Sequence, residues 1–328
     1  MTPPTGAMAW TLPPGELPAR GRDDGSRSWL AWPRFQKWLR PGVRRSFLLS
    51  LLVGVLVFAT GTGWDRLHEP GDTDAAVDAT VLAFFGPDLQ LLKQGDFGVS
   101  QLQVLDGEVG LADALRVTYP RGSASPLVAR QEHAPLGGAQ MYLKVRRQVL
   151  PRAQLSYLMR LPTGFDFARG GLLPGLYGGA ATANRATATK SSGFSTRLGW
   201  RQDGTGLVSA YSTATAVDAS TRIGEGRWTW PVGRWVCVTQ EVVLNRVGRP
   251  DGRLRVWLDR TPVLDEQHLL LRDRRQVHVD GVFFSTFFGG ADSSYASPHE
   301  QHIDFAGVAV ARDTSGCPHP GPAQADLR

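Results

Sequence analysis

Two short polar runs near the middle of the chain place an arginine, two serines and a tyrosine where they could form one polar patch. Ser195 and Arg197 share one face of the run G-F-S-T-R-L-G-W-R, and apolar residues alternate with them on the other face. Ser209 and Tyr211 likewise share a side of the next run, L-V-S-A-Y-S. The connecting R-Q-D-G-T-G predicts a hairpin turn, so the two polar faces should lie side by side. From pattern alone, an ordinary solvated sheet face is the more common outcome.

A cluster of glycines precedes these runs. Residues 168–179 read A-R-G-G-L-L-P-G-L-Y-G-G, with a proline and a Leu-Leu pair among the glycines. Glycine permits positive φ and close backbone approach, so such a cluster usually marks a site or a forced turn. The stretch 180–192 that follows is mostly small or polar and contains Lys190. It predicts a mobile loop that could cover a cleft.

The elements that must position these residues are short strands. From Val81 to about residue 312, short alternating runs bounded by Gly, Pro, Asn and Asp recur, and no long stretch keeps a helical period. So many short strands in one domain predict an all-β fold, a β-sandwich or jelly roll. The predicted segments are a basic, disordered arm at 1–45, a transmembrane anchor or export signal at 46–64, a linker at 65–80, the β domain at 81–312 and a flexible tail at 313–328.

The basic charge of the chain is concentrated before the predicted β domain. The whole chain has 36 Lys and Arg residues against 30 Asp and Glu residues, a net charge of +6. Residues 1–64 contain eight of the basic and three of the acidic residues, which leaves 28 basic and 27 acidic residues in 65–328. Because the remainder is near neutral, no nucleic-acid partner is expected.

An uncharged apolar segment, 47–63, follows three arginines within six residues. Its length lies between the core of a signal peptide, about 7 to 15 residues, and a membrane-spanning helix, roughly 20 residues. Three interpretations stay open: a membrane anchor with the basic arm in the cytoplasm, a signal cleaved near Ala59-Thr60-Gly61, or a twin-arginine signal at R-R-S-F-L. Each predicts that the chain from residue 65 onward is extracytoplasmic, whether membrane-anchored, periplasmic or secreted.

Two cysteines and two histidines are the candidates for a cross-link or a metal site. Cys237 lies in a strand-like run and Cys317 in the tail, so the sequence favours free thiols, although export would permit a disulfide. His299 and His302 lie three residues apart in a proline-flanked loop with no third ligand nearby, which is more typical of an exposed polar loop. No metal and no cofactor are expected.

Five separated motifs, taken together, resemble a known enzyme family. They are, in order, L-P-T-G-F-D-F-A-R-G-G-L-L-P-G-L-Y-G-G (161–179), G-F-S-T-R-L-G-W-R-Q-D-G-T-G (193–206), V-V-L-N (242–245), G-R-L-R-V-W-L-D (252–259) and D-G-V-F-F-S-T-F-F-G-G (280–290). From about residue 80 to about 312 the chain is similar to polysaccharide lyase family 14, the alginate and glucuronan lyases. The resemblance implies a β-jelly roll whose concave face holds an acidic polysaccharide and cleaves it by β-elimination without a metal or cofactor.

The chemistry of that family implies roles for particular positions. β-Elimination needs a donor such as Arg to neutralise the uronate carboxylate, and a Lys or Tyr to take the C5 proton and to protonate O4. The resemblance places the family's Ser-x-Arg on Ser195 and Arg197, and its Tyr-x-Tyr on Ser209 and Tyr211. The family's reactive lysine falls on Leu172. Two expected catalytic positions, Leu172 and Ser209, are therefore substituted.

Two functions are compatible with this mixed pattern. In the first, the protein is a lyase in which Tyr211 acts as both base and acid, Arg197 holds the carboxylate and Ser195 assists. In the second, the same face binds an acidic polysaccharide at the cell envelope with little or no cleavage. The predicted substrate-binding residues are Arg201, Tyr177 and Lys190. The candidates to replace the missing amine are Lys190, Lys144 and Arg169.

Two further interpretations are disfavoured. A retaining glycoside hydrolase would need two carboxylates about 5 Å apart, and the usual E-x-D-x-x-E arrangement does not occur. The aromatic run F-F-S-T-F-F at 283–288 is interpreted as core packing on a strand rather than as a sugar-stacking platform. The protein is expected to act as a monomer.

Overall fold

The computed structural model covers the predicted β domain and a short part of the tail. It describes residues 79–109, 112–146, 150–179, 193–214, 221–312 and 316–317. The predicted anchor or signal at 46–64, its flanking segments and Lys190 lie outside these residues. Within the described ranges, no helix has both the length and the apolar character needed to cross a membrane.

Short strands make up most of the described chain, as the alternating runs predict. They are β1 (Leu89–Phe97), β2 (Leu102–Val109), β3 (Ala112–Tyr119), β4 (Ala139–Val145), β5 (Arg152–Arg160), β6 (Gly170–Gly179), β7 (Gly193–Arg201), β8 (Gly206–Ser212), β9 (Thr221–Ile223), β10 (Trp235–Val243), β11 (Gly252–Leu258), β12 (Thr261–Leu269), β13 (Gly281–Phe288) and β14 (Gln301–Ala311). Two short helices, α1 (Ala79–Phe84) and α2 (Pro126–Glu132), and two 3-10 turns, Val99–Gln101 and Ser293–Tyr295, complete the elements.

The strands form two seven-stranded sheets. The first sheet has the order β1-β4-β13-β6-β7-β8-β9, and the second has the order β12-β11-β10-β5-β14-β3-β2. The ladders between these strands are antiparallel. Residues from both sheets form one large hydrophobic core. The predicted all-β sandwich or jelly roll is therefore confirmed.

Strand β7 shows how the alternation of the sequence separates core from surface. Phe194, Leu198 and Trp200 point into the core and are at most 1% exposed. Ser195 and Arg197 point to the opposite side of the sheet, because successive side chains of a strand alternate between its two faces. The sandwich therefore leaves the polar set of β7 on the outward side of the first sheet.

One buried polar bridge joins the two sheets beneath β6 and β7. Gln240, which is 0% exposed, extends from β10 of the second sheet. Its Oε1 accepts from Leu176 N at 2.9 Å and from Thr196 Oγ1 at 3.1 Å, and its Nε2 donates to Thr196 O at 2.7 Å. The Tyr157 hydroxyl donates to Pro174 O at 3.2 Å, where the register of β6 against β7 shifts. These bonds hold the two strands that carry the candidate site.

A disulfide joins the C-terminal segment to the second sheet. Cys237 on β10 is bonded to Cys317, so the expectation of free thiols is wrong. The reason is that the segment after β14 returns to this sheet, where Ser156 Oγ donates to Gly316 O at 3.2 Å. A pairing between residues 80 positions apart depends on that return, which the local sequence pattern does not reveal.

Candidate active site

The four polar residues predicted to form a patch are neighbours on the outward side of the first sheet, here called the site face. Ser195 pairs with Tyr211 across β7 and β8, and Arg197 pairs with Ser209. On the other side of β7, Tyr177 of β6 pairs with Ser195. The hairpin that the sequence predicts between β7 and β8 is confirmed, and it produces this register. Tyr177, predicted to bind substrate, belongs to the same cluster.

These side chains are buried, which excludes an ordinary solvated sheet face. Ser195 is 0% exposed, Arg197 6%, Ser209 7% and Tyr211 8%. A hydroxyl or a guanidinium that loses contact with water needs a hydrogen-bond partner, or its burial destabilises the fold. The hydrogen-bond partners of these groups therefore decide whether they serve the fold or a ligand.

Arg197 is a buried cation with few partners. Its Nη1 donates to Ser285 Oγ at 3.2 Å, and its guanidinium carbon lies 4.8 Å from the centre of the Phe283 ring. Its Nε is buried without a hydrogen-bond partner, and no described carboxylate lies within 4.0 Å of the guanidinium. Burial lowers the pKa of Arg197 to about 10, so the group keeps its charge at neutral pH. The arrangement suits an anionic ligand.

Two neutral donors accompany this cation. Ser195 Oγ and the Tyr177 hydroxyl are both buried without a hydrogen-bond partner among the described residues. Burial, reinforced by Asp280, raises the pKa of Tyr177 far above its usual range, so the hydroxyl stays protonated and can donate. Arg197, Ser195 and Tyr177 thus have three buried donor groups on one face without a described hydrogen-bond partner, and carboxylate and hydroxyl oxygens are the groups that accept from such donors.

Aromatic rings form the floor beneath Arg197. Phe283 and Tyr142 stack with ring centres 4.2 Å apart, and Tyr177 meets Tyr142 edge-on at 5.0 Å. The run 283–288 therefore divides: Phe284 points into the core as predicted, whereas Phe283 faces the site. Phe283 is 0% exposed, so it supports the arginine and is not a surface for stacking sugars.

The glycines of β6 allow close approach of neighbouring groups. A Cβ atom on Gly175 would lie 2.0 Å from Thr196 O, and one on Gly171 would lie 2.1 Å from Trp200 Cζ2. Because real Cβ atoms essentially never approach so closely, both positions need glycine. The cluster noted in the sequence therefore lets β6 pack against β7 directly beside Arg197.

Leu172 lies in an apolar row beside the polar cluster. It pairs with Gly199 of β7 and with Phe287 of β13. A Cβ atom built on Gly199 would lie 3.4 Å from Leu172 Cδ2 and 3.6 Å from Leu207 Cδ1. Two leucines therefore flank a position without a side chain and form a shallow apolar trough next to Arg197.

The candidate replacements for an amine are not gathered at Leu172. Lys144 is half exposed, and its Nζ lies 4.0 Å from Asp280 Oδ1. Its strand, β4, is two strand spacings from β6, the strand of Leu172, about 10 Å. Arg169 lies just before β6, where its guanidinium stacks on Tyr295. Among the four lysines of the chain, only the side chain of Lys144 is described.

Arg201 lies at the far end of the site face, in a surface pocket. Its Nε lies 3.1 Å from Glu225 Oε1, so this predicted substrate-binding residue has an internal carboxylate partner. The pocket has a volume of about 580 Å³. It is lined by Arg169, Arg201, Gln202, Asp203, Thr205, Glu225 and Tyr295.

Several residues that shape the site escaped the sequence analysis. Ser285 and Phe283 hold the Arg197 guanidinium, and Gln240 and Tyr157 fix the backbone beneath it. They come from strands distant in sequence. The only local signal was Gln240, a glutamine at an inward position of β10 whose inward neighbours Val238 and Val242 are apolar.

Comparison with known proteins gives one family and several similar structures. The family model described as Polysaccharide lyase 14 matches residues 110–308. The PL-14 alginate lyase from Aplysia kurodai is 27% identical, with a TM-score of 0.58 over 71% of this chain and 93% of that one. Alginate lyase vAL-1 from Chlorella virus is 17% identical, with a TM-score of 0.59 over 72% of this chain and 98% of that one. The comparison with curated proteins yields no match.

A third similar structure is a mutant of alginate lyase Aly36B in complex with an alginate tetrasaccharide. It is 20% identical, with a TM-score of 0.54 over 72% of this chain and 96% of that one. At this level of identity the likeness concerns the fold alone.

Proposed function

The chain belongs to the polysaccharide lyase 14 family, and from this premise we propose that it acts on an acidic, uronate-containing polysaccharide by β-elimination at the site face. The observation that carries this proposal is Arg197, a buried cation without a carboxylate partner among the described residues. Alginate and glucuronan are the substrate types suggested by the family. No step of the proposed reaction requires a cofactor.

Each step of the elimination has a candidate group on the site face. Arg197 binds the carboxylate at C6 and withdraws charge from it, which makes the neighbouring C5 proton more acidic. Ser195 and Tyr177 have free donors on the same row of the sheet. In the deprotonated form that this step requires, the Tyr211 oxygen takes the C5 proton, the C4=C5 double bond forms, and the C4–O4 bond breaks. Tyr211 then returns that proton to O4 on the same face of the sugar.

Binding without cleavage is a second candidate function, favoured by the trough at Gly199. Leu172 occupies the position at which the family resemblance places a lysine. Leu207 lies on the other side of Gly199 from Leu172. A leucine can neither accept a proton nor stabilise an anion. If Tyr211 cannot perform both proton transfers, the site face retains a carboxylate anchor and functions as a binding surface.

One assay distinguishes these functions. The full chain, purified in detergent, is incubated with alginate and polyglucuronate while the absorbance of the unsaturated uronate product is followed. New absorbance that Tyr211→Phe abolishes supports cleavage. Tyr119→Phe is the matched control, because it removes a buried tyrosine hydroxyl that bonds to Thr286 away from the site face, and it should leave activity intact.

The other outcomes are equally specific. Binding without a new double bond supports the second function, and calorimetry measures it directly. The double variant Leu172→Lys with Ser209→Tyr restores both substituted family positions, and cleavage gained only in that variant would identify the missing groups as the cause. If the chain neither binds nor cleaves any polyuronate, the proposed function is refuted.

We also propose that the β domain is extracytoplasmic. The Cys237–Cys317 disulfide supports this location, because disulfides persist in oxidising compartments, and so does the arginine-flanked apolar segment at 46–64. Protease added to intact spheroplasts should digest the β domain and spare a cytoplasmic marker protein. Protection of the β domain in that experiment would contradict the proposed location.

A further inference from the structure

The pocket at the end of β7 contains an arginine held in place by two neighbours. The Arg169 guanidinium carbon lies 4.6 Å from the centre of the Tyr295 ring, and its Nη1 donates to Ser294 Oγ. The same ring also packs against Gly290, where a Cβ atom would lie 2.2 Å from Tyr295 Cγ. The ring contact and the bond to Ser294 together fix the direction of an exposed guanidinium.

Arg169 is the cation of the pocket that has no carboxylate partner within 4.0 Å among the described residues. The other arginine of the lining, Arg201, is paired with Glu225. Asp292 lies on the far side of Ser294, whose backbone N and Oγ both donate to Asp292 Oδ1. Asp292 therefore orients the serine that holds Arg169, and its carboxylate interacts electrostatically with the guanidinium without forming an ion pair within 4.0 Å.

The remaining lining residues suit the hydroxyl groups of a sugar. Asp203 and Glu225 contribute carboxylate oxygens that accept from hydroxyls, and Gln202 and Thr205 can both donate and accept. The positive charges of the pocket are offset by these carboxylates. A neutral polar pocket with one directed guanidinium fits a ring that carries one carboxylate among several hydroxyls.

The pocket and the Arg197 cluster are connected along one strand. Arg201 follows Arg197 by four residues on the same side of β7, a distance of about 13 Å. Gly199 lies between them, with Leu172 and Leu207 on either side of it. The trough between Leu172 and Leu207 therefore lies between the Arg197 cluster and the pocket.

We propose that this pocket is a second acidic-sugar subsite, in which Arg169 binds the carboxylate of a further uronate residue of the same polysaccharide chain. The proposal rests on the proposed function, since it requires that a polyuronate lies on the site face. Leu172 then forms a wall of the path between the two carboxylate sites. Polymer length, rather than the single sugar at Arg197, determines whether the second site is used.

Calorimetry with uronate oligosaccharides of increasing length tests this subsite on the full chain. For the wild type, affinity should rise once an oligosaccharide is long enough to reach Arg169. Arg169→Ala should weaken binding of these long oligosaccharides about fivefold and leave the affinity for short ones unchanged. Tyr295→Ala, which removes the support of the guanidinium, should cause a smaller loss with the same dependence on length.

Arg249→Ala is the matched control, because Arg249 is an exposed arginine in the turn between β10 and β11 of the second sheet. It should bind every oligosaccharide as the wild type does. Equal affinity of Arg169→Ala and the wild type for long oligosaccharides, or an equal loss at every length, would overturn the subsite while the proposed function stands. A wild type that binds no uronate of any length would overturn the proposed function as well.

Discussion

The outward faces of the two sheets both contain buried charged residues, but the partners of these residues differ between the sheets. On the second sheet, Asp304 receives bonds from Arg116 Nε at 2.8 Å and Arg160 Nη2 at 2.8 Å. Glu241 in the same sheet accepts from Arg152 Nη2 at 2.7 Å and from Arg255. On the site face of the first sheet, Arg197 has no described carboxylate within 4.0 Å.

The difference separates a structural arginine from a candidate ligand-binding one. An arginine paired with a buried carboxylate satisfies that carboxylate, and both groups then serve the fold. A buried cation without such a partner destabilises the fold unless an external anion supplies the missing charge. Alternation along a strand cannot distinguish the two, because Arg197 and Arg255 both lie at outward positions of their strands.

Loss of the Asp304 carboxylate should have the largest effect. Asp304→Asn leaves Arg116 and Arg160 without their shared charged partner in a site where the aspartate is 0% exposed. We expect the free energy of unfolding to fall by about 3 to 5 kcal/mol, measured by urea denaturation at pH 7. Binding of polyuronate at the site face should be unchanged in the fraction that remains folded. A change below 1 kcal/mol would show that this ion pair is dispensable.

Exchange of one arginine on each face should give opposite results. Arg197→Met should weaken polyuronate binding about 100-fold, because it removes the proposed carboxylate anchor, and should not lower the free energy of unfolding. Arg255→Met should lower the free energy of unfolding and leave binding unchanged, because it removes a partner of Glu241. Calorimetry measures the polyuronate affinity of each variant, and urea denaturation measures its free energy of unfolding. If both variants lose affinity, or both lose stability, the proposed difference between the two arginines is wrong.

Acid should weaken the second sheet before it affects the site-face arginine. Burial raises the pKa of Asp304, but the hydrogen bonds from Arg116 and Arg160 outweigh it and hold that pKa below its usual range. A carboxyl with a depressed folded pKa stabilises the fold above its unfolded pKa, about 3.9, and this contribution is lost as the pH falls through the folded value. The stability difference between wild type and Asp304→Asn should therefore be constant above pH 5 and shrink below pH 4.

His302 also contributes to the pH dependence of stability in this region. Burial lowers the pKa of His302, which lies 3.9 Å from Asp304, so protonation of the histidine also favours unfolding as the pH falls below about 6.5. The stabilities with Asp304 and with Asp304→Asn are therefore both measured in a His302→Gln background. Binding at Arg197 should not change between pH 5 and 9, because the pKa of its guanidinium is about 10.

An exposed ion pair should give the smallest effect. Arg253 and Asp265 form a bidentate pair at the surface of the second sheet, and hydrogen bonding to Arg253 lowers the pKa of Asp265. Water and salt screen such a pair, so Asp265→Asn should unfold at the same urea concentration as the wild type within error. A loss as large as that of Asp304→Asn would show that burial does not determine the value of these pairs.

Local alternation and turn residues predicted the hairpin that carries the site. The side-chain period of a strand separates Ser195 and Arg197 from the core residues of β7, and a short connection makes β8 its neighbour. The same reasoning placed Tyr211 beside Ser195. These features depend on residues close together in the chain, so the sequence contained the information needed to predict them.

The sequence by itself therefore determined the all-β architecture, the register of β7 with β8 and the family resemblance, since each rests on local periodicity or on contiguous motifs. Only the tertiary structure decided that Arg197 is buried without a described carboxylate partner, how Phe283 and Ser285 hold it, and that Cys317 bonds to Cys237. These are contacts between residues about 80 or more positions apart. They follow from how the two sheets pack and how the strands are ordered, and no local pattern specifies either.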